Sequence, residues 1–493
     1  MPPRTPTLPL LLPPRHGGRA AARWLCTALR AEILNGRLRP GARLPATRDL
    51  ARQCRLSRGT IVSAFDQLKA EGYVEGSPGS GTYVNRILPD DLLYAGPAAP
   101  ARVPLRRPPA RRLSGFGTRV TLFPGLTARR IRAFRADQPA LDLFPTTLWA
   151  QLAGRRLRRA STEQLLGCDP MGYPPLQDVV ADYLTTSRGV TCTPRQIAIV
   201  AGAQAALDLV GRALIEPGDR VCLEDPGYVG AAHVFEGLGA RITAVPVDGE
   251  GMQVPSRRLR SVRLAYLTPA HQFPLGICMS LPRRLALLDW ARGSGALIVE
   301  DDYDSEYRYA GLPTPALQGL DRDGRVLFAG SFSKVLFPSL RLGYLVIPSD
   351  LVDAFAAMQS VTSRHAPLLE QAVLCDFIVE GHFGRHVRRM REVYAERRSV
   401  LLDAARERLA GLLEITGVEA GLQTAGWLCR GIGGEAATRA AAVREVEVTP
   451  LSRYARGRLP RDGLKIGFAA VDEEEIRRGV RELAAALESV GGG

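Results

Sequence analysis

The chain has 493 residues, 46% of them hydrophobic, and a net charge of +15. That length asks for two or more domains, and no uncharged apolar run reaches the roughly 20 residues a membrane-spanning helix needs. Eight cysteines scattered without a Cys-x-x-Cys pair argue against a disulfide framework or a metal site and for a reducing cytoplasm, and Thr7–Pro14 is too short and proline-broken for a signal peptide core.

The charge is uneven. Residues 1–135 carry 24 Lys and Arg against 7 Asp and Glu, whereas residues 136–493 carry 41 against 43. A basic front on a near-neutral body points to a polyanion held by the front alone. Arg19 to about Leu34 patterns as an amphipathic helix closed by Asn35-Gly36, a helix-ending pair. After the turn-rich Leu38–Pro45, Thr47 is a candidate N-cap for a short helix through Cys54. Ser57 is a second, opening a helix to about Glu71 with Ile61, Val62, Phe65 and Leu68 on one face. Gly72–Glu75 and Gly81–Val84 read as short strands around a Gly-Ser-Pro-Gly-Ser tip.

Two short helices across a tight turn, then a hairpin, outline a winged helix-turn-helix, an α+β unit whose second helix enters the major groove of double-stranded DNA N-terminus first. That end offers Ser57, Arg58, Gly59 and Thr60. Arg58 can fork onto a guanine edge, the hydroxyls can take phosphates or base edges, and Arg48 is placed to touch backbone or bases. From about Arg86 to Gly117 the chain turns to Pro, Ala and Arg, the composition of a semi-extended tether. The expected organisation is a reader over residues 15–85, a linker over 86–118 and a large domain over 119–493.

Past residue 140, strand-like runs alternate with longer helical stretches, the pattern of a mostly parallel α/β sheet with crossover helices. The clearest strands are Gln196–Val200, Arg220–Leu223, Ala265–Leu267, Ala296–Glu300, Val326–Ala329 and Tyr344–Ile347. Four constellations follow them. Gly202-Ala203-Gln204 opens the helix Ala205–Leu214, and such a start exposes amides that seat a phosphate. Asp225-Pro226-Gly227-Tyr228 can lay a ring across a flat ligand. Glu300–Asp304 is an acid cluster at a buried strand end, costly unless a cation meets it. Ser331-Phe332-Ser333-Lys334 is followed by Arg341. Only three of the 65 basic side chains are lysines, Lys69, Lys334 and Lys465. A lysine that survives such a bias is a candidate for imine formation, which guanidinium cannot perform.

Together these groups describe a site for pyridoxal 5'-phosphate (PLP). The Ala203 and Gln204 amides, Ser331 and Arg341 would bind the phosphate, with Ser333 beside them. Asp301 would pair with the ring nitrogen, Tyr303 with the phenolic oxygen and Tyr228 with the ring face, while Lys334 would hold the aldehyde.

Two sets of motifs sharpen this. Leu44–Ala51, Leu56–Val62 and Gly79–Val84 resemble the GntR family of bacterial winged-helix repressors, which implies that Arg48, Ser57, Arg58, Thr60 and the wing near Gly81 meet operator DNA. Asp169–Leu176, Gly202–Leu207, Glu224–Tyr228, Thr268–Gly276, Glu300–Glu306 and Ser331–Arg341 resemble fold-type I aminotransferases. More closely, they resemble the MocR/GabR group, in which a GntR-type reader is fused to such a domain. The resemblance implies a cytoplasmic PLP-dependent regulator that senses PLP, an amine or an amino acid, as a homodimer with the head of one chain on the body of the other. His271 and Gln272 stand where aminotransferases place an Asn-Pro that contacts the ring oxygen. Lys465 stands where they carry an arginine gripping the substrate carboxylate, and it either contacts the effector or is a strand-end lysine turned to water. The alternative is a working aminotransferase with an accessory DNA-binding head.

Overall fold

The computed structural model describes residues 12–13, 21–77, 81–88, 111–122, 130–256, 259, 261–310, 314–415, 417, 419–429 and 431–491. Most of the Pro/Ala/Arg run, part of the hairpin tip and the first residues expected in the first helix lie outside them. The chain divides into two compact units, residues 1–111 and 112–493.

In the first unit, α1 (Ala21–Leu34), α2 (Thr47–Cys54) and α3 (Arg58–Ala70) precede the antiparallel strands β1 (Val74–Ser77) and β2 (Gly81–Val84). Leu25, Leu29 and Ile33 of α1 meet Leu50 of α2 and Ile61, Ala64, Phe65 and Leu68 of α3, and Val74 and Val84 close the core. Three expectations need correction. Thr47 is the first residue of α2 rather than its cap, because the Asp49 and Leu50 amides turn back to the Ala46 carbonyl. Val62 is exposed, since the buried stripe of α3 falls at 61, 64, 65 and 68, the spacing of one helix face. The strand expected at Gly72 begins at Val74, because Gly72, at φ +81°, and Tyr73 fold back onto the last turn of α3. Residues 42–44 run alongside β2, with Leu44 donating to Thr82 and Val84 to Ala42.

The second unit is built on an eight-stranded sheet. Its strands are β3 (Ile197–Val200), β4 (Arg220–Asp225), β5 (Arg241–Asp248), β6 (Gly251–Met252), β7 (Val262–Leu267), β8 (Leu297–Asp302), β9 (Val326–Ser331) and β10 (Gly343–Val346), in the order β3-β10-β9-β8-β7-β4-β5-β6. The pairs β9–β8, β8–β7, β7–β4 and β4–β5 are parallel, while β10 and β6 oppose their neighbours. The sheet is mostly parallel, as expected; β10 runs antiparallel because Ser331 to Gly343 return by a short connection, too short for the helix a parallel crossover needs. Successive residues feed different cores. Ile197 and Ile199 pack in one, and Ala198 and Val200 in another on the opposite face. Burial of both faces explains why these strands read as unbroken apolar runs.

A second, four-stranded antiparallel sheet comprises β11 (Leu413–Ile415), β12 (Gln423–Leu428), β13 (Thr449–Pro450) and β14 (Gly463–Gly467), in the order β11-β12-β14-β13. No sequence signal had marked it. At the end of the stretch expected to be tether, Gly115–Arg119 is helical, and Arg119, the first residue expected in the large domain, donates to the Glu236 and Gly237 carbonyls.

Because β3, β4, β7, β8 and β9 run the same way, their C-terminal ends share one edge, the place where open α/β sheets hold ligands. Behind that edge, Arg284 is fully buried and donates to the carbonyls of Met279, Pro315 and Pro269, 3.8 Å from Glu300. Arg284→Ala is expected to lower stability by about 3–5 kcal/mol, seen as a fall of several degrees in the melting temperature. Arg284→Lys should recover little, since a point charge cannot reach three carbonyls at once.

Candidate functional site

In the head, the face expected to meet DNA is polar and open. Arg48, Ser57, Arg58 and Gly59 are exposed and Thr60 half-buried. Ser57 caps α3: its Oγ accepts from the Thr60 amide at 3.1 Å and lies 2.8 Å from Thr60 Oγ1. The two hydroxyls therefore fix the start of α3, and the guanidinium of Arg58 projects from it. Gly81, at φ +119°, lies against the Arg43 guanidinium, where an added Cβ would come within 2.8 Å of Nε. Arg43 escaped notice because it sat in a turn-rich connection. The pairing of residues 42–44 with β2 is what puts it in the wing.

In the body, the groups gathered at the strand ends come from β3, β4, β8, β9 and their following turns. Gly202, at φ +85°, caps the helix Ala203–Leu214, and the Ala205 and Ala206 amides turn back to its carbonyl. Helix geometry leaves the Ala203 and Gln204 amides aimed outward. Arg341, in the left-handed region at φ +51°, donates to Ala201 O at 2.9 Å. A Cβ on Gly202 would lie 3.5 Å from its Cζ, so a side chain there would fill the space between helix start and guanidinium. Ser331 Oγ accepts from the Ser333 amide at 3.2 Å. The cradle pairs outward amides with a guanidinium, the donor set of a phosphate site.

Tyr228 is positioned by Gln204, whose Nε2 donates to its hydroxyl at 2.8 Å, and its ring lies edge-on to Phe273 at 5.5 Å. Burial pushes its hydroxyl up to about 12. Gly230 is obligatory beside it: a Cβ there would collide with Gln204 Nε2 and with the Tyr228 ring.

The acid cluster is resolved almost entirely from within. Glu300 accepts from the Leu317 and Gln318 amides, Asp302 and Glu306 share Arg188, and Asp304 lies 2.9 Å from His271 Nδ1. Asp301 is the exception. Its Oδ2 accepts from the buried Tyr266 hydroxyl at 2.7 Å, its Oδ1 has no partner, and among the described residues no cation pairs with it. Burial pushes its carboxyl up to about 6. A buried acid oxygen left open fits a cationic N–H donor such as a protonated pyridine nitrogen.

Tyr303 and His271 come together, hydroxyl to Nδ1 at 3.0 Å. Gln272 corrects the expectation of a contact to the ring oxygen. Its Nε2 donates to the carbonyls of Pro226 and Phe273, and its Oε1 accepts from Leu275, so the amide braces two loops instead.

Lys334 lies at the floor, its Nζ donating to Asp137 O at 2.6 Å and standing 3.8 Å from Asp137 Oδ1. Burial pulls it below the ordinary lysine range, with Asp137 opposing. Lys465, with 1% of its side chain exposed, is a correction to the strand-end lysine in water. Its Nζ donates to Asp137 Oδ2 at 2.5 Å and sits 4.4 Å over the Phe273 ring and 4.6 Å over that of Tyr454. Sequence reasoning missed Asp137, Tyr266, Phe273 and Tyr454. The one available hint was that two rare lysines converging on a site need an anion between them.

These elements define a winged-helix reader joined to an aminotransferase-type body. Residues 142–483 match the family described as Aminotransferase class I and II, and residues 23–84 match the bacterial regulatory proteins of the gntR family. The chain is 42% identical over 474 residues to the probable rhizopine catabolism regulatory protein MocR of Rhizobium meliloti, covering 95% of this chain and 94% of that protein. It is 31% identical to the pyridoxine biosynthesis transcriptional regulator PdxR of Corynebacterium glutamicum, over 97% of this chain and 98% of that one. Among solved structures it resembles LysN, the alpha-aminoadipate aminotransferase of Thermus thermophilus complexed with N-(5'-phosphopyridoxyl)-L-leucine, at 30% identity and a TM-score of 0.66, over 73% of this chain and 92% of that one. The chain belongs to the MocR-type transcriptional regulators, which fuse a GntR head to a fold-type I aminotransferase domain. Among the described residues, no helix is long and apolar enough to cross a membrane.

Behind the site, Glu224 accepts from the amide and hydroxyl of Thr268 through Oε2, its Oε1 has no hydrogen-bond partner among the described residues, and burial pushes it up to about 7. A carboxyl raised in the folded state holds its proton more tightly than in the unfolded chain. Its contribution is therefore complete below the unfolded carboxylate range and fades as pH rises through about 7. The melting temperature of the wild type is expected to fall relative to Glu224→Gln between pH 5.5 and pH 8, and parallel curves would refute the assignment.

Proposed function

We propose that this regulator carries PLP on Lys334, responds to PLP or to an amine or amino acid, and passes that response to operator DNA held by Arg48, Arg58 and the wing. The open, buried Asp301 Oδ1 carries the reading: among the described residues Asp302, Glu306, Asp304 and Glu300 each lie within 4 Å of an arginine or histidine, and Asp301 has no such partner. The Gly202–Arg341 cradle and the depressed Lys334 supply the other two contacts such a cofactor needs. When bound, PLP offers an aldehyde for amine exchange and a ring that withdraws electrons once its nitrogen is protonated.

The chain's own groups then have defined work. Lys334 supplies an amine that burial keeps closer to its neutral, nucleophilic form at physiological pH. Asp301 holds the proton of its partner nitrogen in place, Tyr228 covers one face, and the Arg341 side shields phosphate charge. A ligand amine that displaces Lys334 releases its Nζ. That release regulates only if the ligand binds two arrangements of the protein with different affinity. One relative is named for rhizopine catabolism and another for pyridoxine biosynthesis, so both a catabolite and the cofactor itself are effectors to test. A homodimer is part of the proposal, and Leu165, Leu166 and Val361, each more than 70% exposed, are apolar surface that a second subunit would cover.

Purified protein supplied with PLP is expected to absorb near about 420 nm, the region of a protonated PLP imine, and to show a borohydride-stable adduct on Lys334. Lys334→Ala should lose both. Arg58→Ala should weaken operator binding by about 1–3 kcal/mol in a gel-shift titration at fixed salt. Rapid turnover with a keto acid together with absent operator binding would overturn the proposal in favour of a working aminotransferase.

A further inference from the structure

Asp137 occupies an unusual position. It is a non-glycine residue at φ +65°, close behind Phe134 at φ +68°. Aspartate tolerates the left-handed region better than most side chains, yet such a conformation persists only where its surroundings hold it. Here they do so from both sides. The Asp137 amide donates to Gln423 Oε1 at 3.0 Å, and the Gly467 amide donates to the Phe134 carbonyl at 2.9 Å. Gly467 permits this approach of the 134–137 segment to β14, since a Cβ there would collide with the Arg135 carbonyl.

So held, Asp137 touches both lysines of the body. Its carbonyl accepts from Lys334, and its Oδ2 accepts from Lys465. The Phe273 and Tyr454 rings also stand against the Lys465 ammonium. Tyr454 is itself fixed: its carbonyl accepts from the Gly227 amide, and the Arg456 and Gly457 amides that follow it donate to Asp225. The positive charges of Lys465 and Lys334 hold the Asp137 carboxyl down at about 2, against burial that would raise it. The buried ammonium of Lys465 thus already carries a carboxylate, supplied by the chain. An incoming carboxylate would have to expel Asp137 from Lys465 or lie against it as a like charge. A ligand ammonium, by contrast, would approach Lys334 with the Asp137 carboxylate 3.8 Å from that nitrogen.

We infer that Asp137 stands in for a ligand carboxylate on Lys465, so that the site selects primary amines lacking an α-carboxylate over the corresponding α-amino acids. The inference rests on the reading of Lys334 as the PLP-bearing residue. The exchange it describes is balanced. The ligand nitrogen forms the C=N bond that the Lys334 nitrogen gives up, Lys334 takes the two protons the ligand nitrogen sheds, and no oxidant or reductant is consumed.

The test uses the full chain supplied with PLP and titrated with matched pairs: 2-phenylethylamine and phenylalanine, cadaverine and lysine. The readouts are the change in the visible imine band and the melting temperature. In the wild type the amines should half-saturate at concentrations lower by a factor on the order of ten than their amino acids. Asp137→Gly, in which glycine suits φ +65° without strain, should move that ratio by a similar factor toward the amino acids. Adding Lys465→Ala to that variant should cancel the gain. Asp137→Asn keeps the side-chain size and loses the charge, and should shift the ratio the same way, carrying the test if the glycine variant fails to fold. An unchanged ratio in both variants, a wild type that favours amino acids, or a panel that perturbs nothing would each overturn the inference. The visible band is recorded before any ligand is added, so its absence would instead remove the reading of Lys334 itself.

Discussion

A carboxylate buried without a counter-charge is among the more costly things a fold can contain, and the body of this protein keeps one at the end of β8. Among the described residues Asp301 has a single side-chain donor, the Tyr266 hydroxyl, and an Oδ1 without a hydrogen-bond partner. Its neighbours in the same run of acids have partners: Arg188 pairs with Asp302 and Glu306, backbone amides donate to Glu300, and His271 Nδ1 lies 2.9 Å from Asp304. A buried acid without a charged partner is costly, and a cationic ligand would offset that cost. The stability of the body alone is correspondingly reduced near neutral pH, where Asp301, Glu224 and Glu300 all sit in burial-raised states. Binding of a cationic partner would recover part of that loss through ordinary linkage.

The architecture delivers this arrangement by direction alone. Parallel strands place their C-terminal ends on one edge, so short turns after β3, β4, β8 and β9 contribute a helix start, an aromatic ring, the acids and the lysine to one locality. Glycines at close approaches make the edge dense. A Cβ at Gly343 would meet the Gly330 carbonyl at 2.7 Å, and one at Gly330 would meet the Tyr344 ring. The antiparallel second sheet adds what the first lacks, because β14 carries Lys465 under the floor and β12 supplies Gln423 to hold Asp137. The small head uses a different economy: a stripe of α3 buried against α1 and α2 frees the opposite face, and the Ser57 cap sets where Arg58 leaves the helix.

Much of this was legible in the chain. The strands β3, β4, β7, β8 and β9 are continuous apolar runs because both their faces are buried, and local pattern suffices to find them. Ser57 as a cap, the short helix before it and the hairpin strands depend on nearest neighbours and were readable for that reason. Lys334, Asp301 and Tyr228 followed from residue chemistry at strand ends. The misses have a common cause. Thr47 and Val62 were misplaced by one helical position, which local pattern alone does not fix. Gln272 carried a motif position but spent its amide on Pro226, 46 residues away. The four-stranded sheet is assembled from short strands separated by helices and loops, and its pairing is set by docking rather than by periodicity.

The amino-acid order by itself determined the candidate site residues and much of which segments become strands and helices, since both follow from side-chain type and short-range spacing. It also set the separation of a basic reader from a near-neutral body. Only the tertiary structure decided which charges meet. That Asp137 reaches Lys334 and Lys465, that Tyr266 satisfies half of Asp301 and that Phe273 and Tyr454 line the surroundings of the Lys465 ammonium are consequences of elements far apart in sequence packing together. Charge pairing in a buried site depends on separations of a few ångströms, and that distance is fixed only when distant segments have found their places.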